Sequence, residues 1–504
     1  KIGFCAVRVG QLLCLAAVLV GTAAQVPHAF DAYTPEFRPT KAEAHVSLPR
    51  MNIEENLEKA RALEKDGIWE FAQVNKVNFD VFNDSTSATF ATGTVRKLAV
   101  GMENALSMAF YFEQFHIPVG AALFIVSEGE TAGPFTHENA WSNGDFQTRH
   151  IRGRFMEVHY FEEVTVRERP VLRLSVVTTA FRAAHDGNQN AGTCNINSVC
   201  VAKNNECNKK CKATEYGCSV ECTYIDQDPN KGQWAGSDWD PQIRGTVAVG
   251  RNYASRYCSG SFINNKDGKQ YVLTAAHCGP AGADIIQMNF ANPDCASDDD
   301  EAGPTEYVAG DLKTLARDTS IDNELIEVGE AIPDDWEVYL NGYEAGDKDK
   351  PATGAVGIHH PSGANKKISF FADKLTLVRP TTIATTPRPP PTPCPPQRWL
   401  SCRSLSMAQA SWSGSSTLNH WKVEEWTVST TEPGSSGSPL FRHDTKRIVG
   451  QLHGGSASCP AKNGYDVYGA VWAGYNTGGM KEFLGPESMD GEELSSAKLR
   501  NVVA

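Results

Sequence analysis

The stretch Thr431-Glu432-Pro433-Gly434-Ser435-Ser436-Gly437-Ser438-Pro439-Leu440 decides how this 504-residue chain is read. Two glycines flank a serine pair. Glycine takes backbone conformations that a side chain forbids, and it lets another backbone approach closely. In Gly-x-Ser-Gly-x-Pro a tight turn can hold the central serine, Ser436, out on its bend. The amides of Gly434 and Ser436 can then converge beside that hydroxyl. A nucleophile and two donors for the negative oxygen of a tetrahedral intermediate would stand together. Alone, the string also reads as an ordinary Gly/Ser loop, so the case depends on partners elsewhere in the chain.

A serine hydroxyl needs a base to take its proton. Among the 13 histidines, His277 stands in Tyr271-Val272-Leu273-Thr274-Ala275-Ala276-His277-Cys278-Gly279. The β-branched, apolar start of that run predicts a buried strand with His277 at its end. The third partner should be a carboxylate lying between His277 and Ser436. Asp322 is the best placed, just before the strand-like Leu325, Ile326 and Val328. Asp318 competes but lies further from that run, and Asp322 also reads as a plain loop residue. The order His277, Asp322, Ser436 is that of chymotrypsin rather than of subtilisin or the α/β-hydrolases. The hydrolase elbow Gly-x-Ser-x-Gly also fails, because Ser438 occupies the place of its last glycine.

With these residues in hand, the chain resembles the lysyl endopeptidase family of trypsin-like serine proteases. The likeness is carried by Thr431–Leu440 and its sequel Ile448-Val449-Gly450-Gln451-Leu452-His453-Gly454-Gly455. Gly192-Thr193-Cys194-Asn195-Ile196-Asn197-Ser198-Val199-Cys200 and Ile358-His359-His360-Pro361 add to it, and it runs with interruptions from about Gly192 to about Tyr475. The resemblance implies an all-β, chymotrypsin-like double β-barrel. It implies disulfides Cys194–Cys459, Cys200–Cys295 and Cys258–Cys278, the last stapling the strand that delivers His277. It also implies a pocket aspartate in Asp466-Val467-Tyr468-Gly469, a pocket-side histidine at His453 and a stacking tryptophan at Trp412. Without the resemblance, Asp466 reads as a turn residue, His453 as a polar strand residue and Trp412 as packing. The expected activity is hydrolysis of peptide bonds after Lys, with Arg as a further possibility, and with no metal or organic cofactor.

Lys1 and Arg8 precede the unbroken apolar run Leu12–Val20, and Thr22-Ala23-Ala24 offers small residues for cleavage. Residues 1–24 therefore read as a secretory signal, because the run is well short of the ~20 residues that span a bilayer. Secretion and an extracellular location follow as expectations. Of 14 cysteines, Cys5 and Cys14 fall in the signal, and the even remainder suits disulfides. A net charge of −13 disfavours nucleic acid and anionic membranes as partners. A monomer acting on protein or peptide substrates is expected.

Residues 25–68 form an N-terminal prosegment with a helix predicted from about Met51 to Lys65. Ile53, Leu57, Ala60 and Leu63 share one of its faces, and Gly67 is its stop. Residues 69–183 carry strand-like runs separated by turns, which suggests a β-sandwich pro-region. It is similar to the N-terminal propeptide region of lysyl endopeptidases, notably in Phe115-His116-Ile117-Pro118-Val119-Gly120-Ala121. A folding-assistant or inhibitory role is expected from that similarity, with an independent binding module as the alternative. Residues 184–191 read as a linker, 192–486 as the protease domain and 487–504 as a tail.

Two inserts depart from the family pattern. One, about 201–240, holds Cys207, Cys211, Cys218 and Cys222, whose spacing suits two disulfides between facing helices or a zinc site; an oxidising compartment favours disulfides. The other, about 381–411, includes Pro387-Arg388-Pro389-Pro390-Pro391 and the pair Cys394 and Cys402. Its composition favours extended polyproline structure over a packed core. A secreted homologue that lost catalysis and serves in binding or adhesion is the other class to weigh.

Overall fold

A computed structural model describes residues 28–36, 46–64, 66–182, 239–280, 284–291, 307–346, 350–364, 366–379, 418–427, 429–458 and 464–495. The expected signal, the 184–191 linker, nearly all of the Cys-rich insert, the Pro-rich insert and Trp412 lie outside them. So do Cys194, Cys200, Cys295 and Cys459.

The helix forms over Ile53–Glu64, with Ala60 fully buried. The strands that follow build two sheets. One runs, in spatial order, Val46–Ser47, Gly93–Gly101, Phe155–Glu163, Ala121–Ser127, Glu130–Phe135, with Thr86–Thr89 also paired to Gly93–Gly101. The other runs Ile151–Arg152, Ser107–His116, Val171–Ala180, Ala72–Asp80, with Phe146–Gln147 beside Ser107–His116. Alternate residues of a strand face opposite sides. Leu98, Val100, Val158 and Tyr160 of the first sheet thus share one core with Phe110, Phe112, Leu172 and Leu174 of the second. This is the expected sandwich.

The rest of the described chain forms two more large sheets and a two-stranded one, Tyr339–Leu340 with Glu492–Glu493. The first is ordered Tyr307–Ala309, Asp284–Met288, Thr246–Arg251, Ser255–Phe262, Tyr271–Ala275, Asn323–Val328, Leu312–Asp318. The second is ordered Lys367–Lys374, Thr353–His359, Pro439–Arg442, Ile448–Gly455, Asp466–Ala470, His420–Val423, Thr376–Val378. Each curls around a core of its own. A further cluster joins them: Tyr271, Leu273 and Leu325 of the first meet Val356, Ile358 and Phe441 of the second. The architecture is the all-β, chymotrypsin-like pair of barrels.

Several details depart from the sequence reading. Trp69–Glu70, grouped by pattern with the sandwich, pairs instead with Ser255–Arg256 of the first barrel sheet. Val46–Ser47, from the prosegment, joins the sandwich. Ser488–Met489 and Glu492–Glu493, assigned to the tail, pair with Tyr343–Glu344 and Tyr339–Leu340. Strand pairing across domains leaves no local signal, because the partner is remote in sequence. The run Val467–Val471 ends as a strand at Ala470, and Val471–Asn476 is helical. A short apolar run does not distinguish strand from buried helix by periodicity.

Leu325 is fully buried in the strand that follows Asp322. Leu325→Ala is expected to cost about 2–5 kcal/mol in chemical denaturation. Val119→Ala, at a 64% exposed site, should stay within about 0.5 kcal/mol.

Candidate active site

Strand register brings the first two residues together. Tyr271–Ala275 and Asn323–Val328 are antiparallel, with Ala275 opposite Asn323. Continuing one step outward sets Ala276 against Asp322, and the Ala276 N–H donates to Asp322 O at 3.0 Å. Asp322 takes φ +59°, a left-handed conformation that Asp tolerates better than most residues. Its carboxylate is turned onto His277. The His277 backbone N–H donates to Oδ1 at 2.9 Å, and Nδ1 lies 2.7 Å from Oδ2. With Asp322 accepting, Nδ1 carries the proton and Nε2 keeps its lone pair. Asp318, the competitor, is occupied by the Ser320 N–H and hydroxyl at 2.7 Å each.

Cys258 and Cys278 form a disulfide with Cα atoms 6.2 Å apart. It ties the residue after His277 to the Ser255–Phe262 strand. The next residue of that strand, Ser259, donates its N–H to Ser436 O at 2.8 Å. The serine loop is thereby fastened beside the histidine turn. Among the described residues, Ser436 Oγ and His277 are not hydrogen-bonded; such bonds are often loose before substrate arrives.

The two adjacent serines have different surroundings. Ser435 is fully buried, whereas Ser436 is half-buried. The Ser435 hydroxyl accepts from the Glu432 N–H at 3.2 Å and lies 2.8 Å from His359 Nδ1. His359 Nε2 lies 2.9 Å from Ser369 Oγ, which donates to Thr430 O at 3.0 Å. Only one proton placement satisfies this chain: His359 donates from Nε2 to Ser369 and accepts at Nδ1 from Ser435. Burial and the Lys367 charge push His359 down to about 3, so this neutral arrangement holds at working pH. Ser435 is thus an anchor, and Ser436 is left at the bend. Gly434 has φ +92° and Gly437 φ +83°, conformations that strain residues with a side chain. A side-chain carbon at Gly437 would sit 2.2 Å from Thr274 Oγ1 and 2.3 Å from Ser259 O. Among the described residues, neither the Gly434 nor the Ser436 N–H is spent on a backbone hydrogen bond.

Asp466 lies at the start of strand Asp466–Ala470 and is 1% exposed. Its Oδ2 accepts from Trp426 Nε1 at 2.6 Å and from Thr431 Oγ1 at 2.5 Å. Burial pushes the carboxyl up to about 6, and the two donors oppose the rise. The other oxygen faces Gly455, where a side-chain carbon would lie 2.4 Å from Oδ1. Gly455 is paired with Asp466 across the two strands, backbone against backbone, so no side chain fits there beside the carboxylate. His453 stands nearer to His277 and Asp322 than the pocket reading alone would place it. Its Nε2 is 3.5 Å from Asp322 Oδ2, and its ring stacks on that of His277 with centroids 6.0 Å apart. Behind it, His453 Nδ1 is 2.9 Å from His420 Nε2, and His420 Nδ1 is 2.7 Å from Asn419 Oδ1. Burial pushes His420 down to about 4 and His453 far below the usual histidine range, the latter helped by His420 and His277.

Trp426, Thr431, His359 and His420 escaped sequence reading. No short-range spacing links them to the residues they hold, although Thr431 and His359 lie in strings that carried the family resemblance. His277, Asp322 and His453 present ligand atoms within 4.8 Å of one another. A metal there would displace the His277–Asp322 hydrogen bond. The sulfurs near His277 are in a disulfide and offer no thiolate.

The buried Asp466 carboxylate has a stability consequence. Its folded value of about 6 exceeds the ordinary 3.8. The group therefore favours the fold fully below the ordinary value, and that contribution is lost as pH rises through about 6. The difference corresponds to about 3 kcal/mol. Asp466→Asn should raise the melting temperature at pH 7 and lose that advantage by pH 4.

The model of the family described as lysyl endopeptidase, C-terminal domain, matches residues 216–469. Solved structures overlap it more distantly. An inactive Ser-to-Ala mutant of Rv3671c from M. tuberculosis H37Rv is 13% identical, covering 48% of this chain and 88% of that one at a TM-score of 0.28. The inactive form of the Rv3671c protease is 13% identical, covering 53% and 98% at a TM-score of 0.29. Overlaps this small add nothing about the chemistry. The family match spans half of the chain and includes His277, Asp322, Ser436, His453 and Asp466, and on that ground the chain belongs to the lysyl endopeptidase family of proteases.

Proposed function

We propose that this protein is a secreted serine endopeptidase that cuts after Lys. The observation that carries the reading is the His277–Asp322 pair, oriented by two hydrogen bonds and fastened through the Cys258–Cys278 disulfide and Ser259 to the loop bearing Ser436. Ser436 attacks the scissile carbonyl, and His277 Nε2 takes its proton. Asp322 fixes the tautomer and stabilises the imidazolium that forms. The amides of Gly434 and Ser436 receive the oxyanion. The carbonyl carbon–nitrogen bond then breaks, His277 protonates the leaving amine, and water activated by the same histidine releases the acyl-enzyme. The chemistry uses only these side chains and amides.

Asp466 supplies the specificity. A substrate ammonium that reaches Asp466 gives the buried carboxylate a counter-charge, whereas a neutral side chain leaves it without one. Lys reaches such a site as a point cation on a flexible stem, while Arg needs a wider fork.

A serine-directed phosphonate should label wild type, and Ser436→Ala should abolish the labelling; a label retained elsewhere contradicts the assignment. Asp466→Asn should reduce kcat/KM after Lys roughly 100-fold or more while leaving labelling by a small uncharged phosphonate intact. Because burial holds the Asp466 carboxyl up at about 6, KM for Lys peptides should rise as pH falls through that value. A neutral substrate should show no such rise.

A further inference from the structure

One short segment of the N-terminal half lies against the proposed oxyanion loop. Helix Ile53–Glu64 ends in a left-handed cap. Gly67 has φ +77°. Its N–H donates to Glu64 O at 3.0 Å, and the Ile68 N–H donates to Leu63 O at 3.2 Å, the paired bonds of a Schellman ending. The cap holds the Gly67 peptide against the serine loop. A side-chain carbon on Gly67 would lie 2.3 Å from the Pro433 carbonyl carbon and 2.5 Å from the Gly434 nitrogen. One on Gly434 would lie 2.9 Å from Gly67 O. Backbone meets backbone, with the Pro433 ring alongside, at the residue whose amide is assigned to the oxyanion.

The chain then continues as a strand on the first barrel. Trp69 pairs with Arg256 and Glu70 with Ser255, antiparallel. The N–H groups of Phe71 and Ala72 both donate to Ala254 O, at 2.9 and 3.2 Å. The strand so occupied is the one that carries Cys258, bonded to the neighbour of His277, and Ser259, which holds Ser436. Trp69 is 2% exposed. The Arg182 guanidinium sits 3.4 Å from its ring centroid. That guanidinium also pairs with Glu64 at 2.6 Å and donates to Glu70 O at 2.6 and 2.9 Å. Helix end, strand and the last described turn of the sandwich are thus clamped together.

We propose that residues 66–70 are a built-in strand inhibitor of the protease. In the uncut chain they hold the sheet edge and the backbone face of the Gly434 loop that an extended polypeptide would use. Main-chain pairing of this kind competes with any peptide that must add a strand at the same edge. The block is therefore directed at polypeptides that continue beyond the scissile bond, and small acyl donors escape most of it. The contacts do not depend on the linker, so the N-terminal region stays bound after the linker is cut and leaves in a separate step. The proposal rests on the serine protease reading above.

The test uses the full-length uncut chain as wild type, Trp69→Ala and Gly67→Val, with intactness checked by mass. Three quantities are measured: phosphonate labelling of Ser436, hydrolysis of a small lysine ester, and cleavage of a quenched peptide with several residues after its Lys. Both variants should raise kcat/KM on the long peptide roughly tenfold or more, with the ester rate changed less than about twofold. Trp69→Ala adds no atoms and carries the test if Gly67→Val fails to fold. A wild-type chain that is labelled, hydrolyses the ester and cuts the long peptide as well as Trp69→Ala does overturns this proposal alone. Absence of both labelling and ester hydrolysis in every form overturns the protease reading, and this proposal with it.

Discussion

The site depends on one strand register. Ala275 opposite Asn323 fixes which residue of the Asp322 turn meets the histidine turn. A slip of one residue would point the whole Asn323–Val328 strand the other way. The register is enforced by burial, since Leu273, Ala275, Leu325 and Ile326 are all within the core. The geometry of the His277–Asp322 pair is therefore secured by hydrophobic packing as well as by the hydrogen bond itself. The disulfide and the Ser259–Ser436 bond extend that rigidity to the loop bearing Ser436.

Two groups are held against their intrinsic preference. Asp322 carries a side chain at positive φ, and Asp466 is a carboxylate kept almost out of solvent with Trp426 and Thr431 as its donors among the described residues. Strained backbone and unpaired buried charge each cost stability. Both costs have a reading in the proposed chemistry: the first aims a carboxylate at His277, and the second is relieved by a substrate ammonium. Ser435 shows the opposite case. Its hydroxyl is fully used inside the fold by His359 and Glu432, which removes it from competition with Ser436.

What was legible in the sequence had a local or motif-borne signal. The strand before His277, the glycines around Ser436 and the helix stop at Gly67 are all written in short stretches. The alternation of the sandwich strands was equally plain. Asp322 was placed by its position before an apolar run, and the pairing explains why that position works. Trp426 and Thr431 were not legible as partners of Asp466, because 40 and 35 residues separate them from it. The same holds for Trp69–Glu70, whose partner strand lies in another domain. Long-range pairing is decided by packing after the chain has folded back, and a linear pattern does not carry it.

The proposed chemistry turns on a buried aspartate that directs a serine nucleophile to bonds after Lys. The most direct measurement is digestion of a mixed peptide library by the active protein, reading the residue before each cut. Lys should stand before nearly every cut, and Ser436→Ala should make none. Cuts spread over neutral residues, or a digestion pattern unchanged in Ser436→Ala, would contradict it.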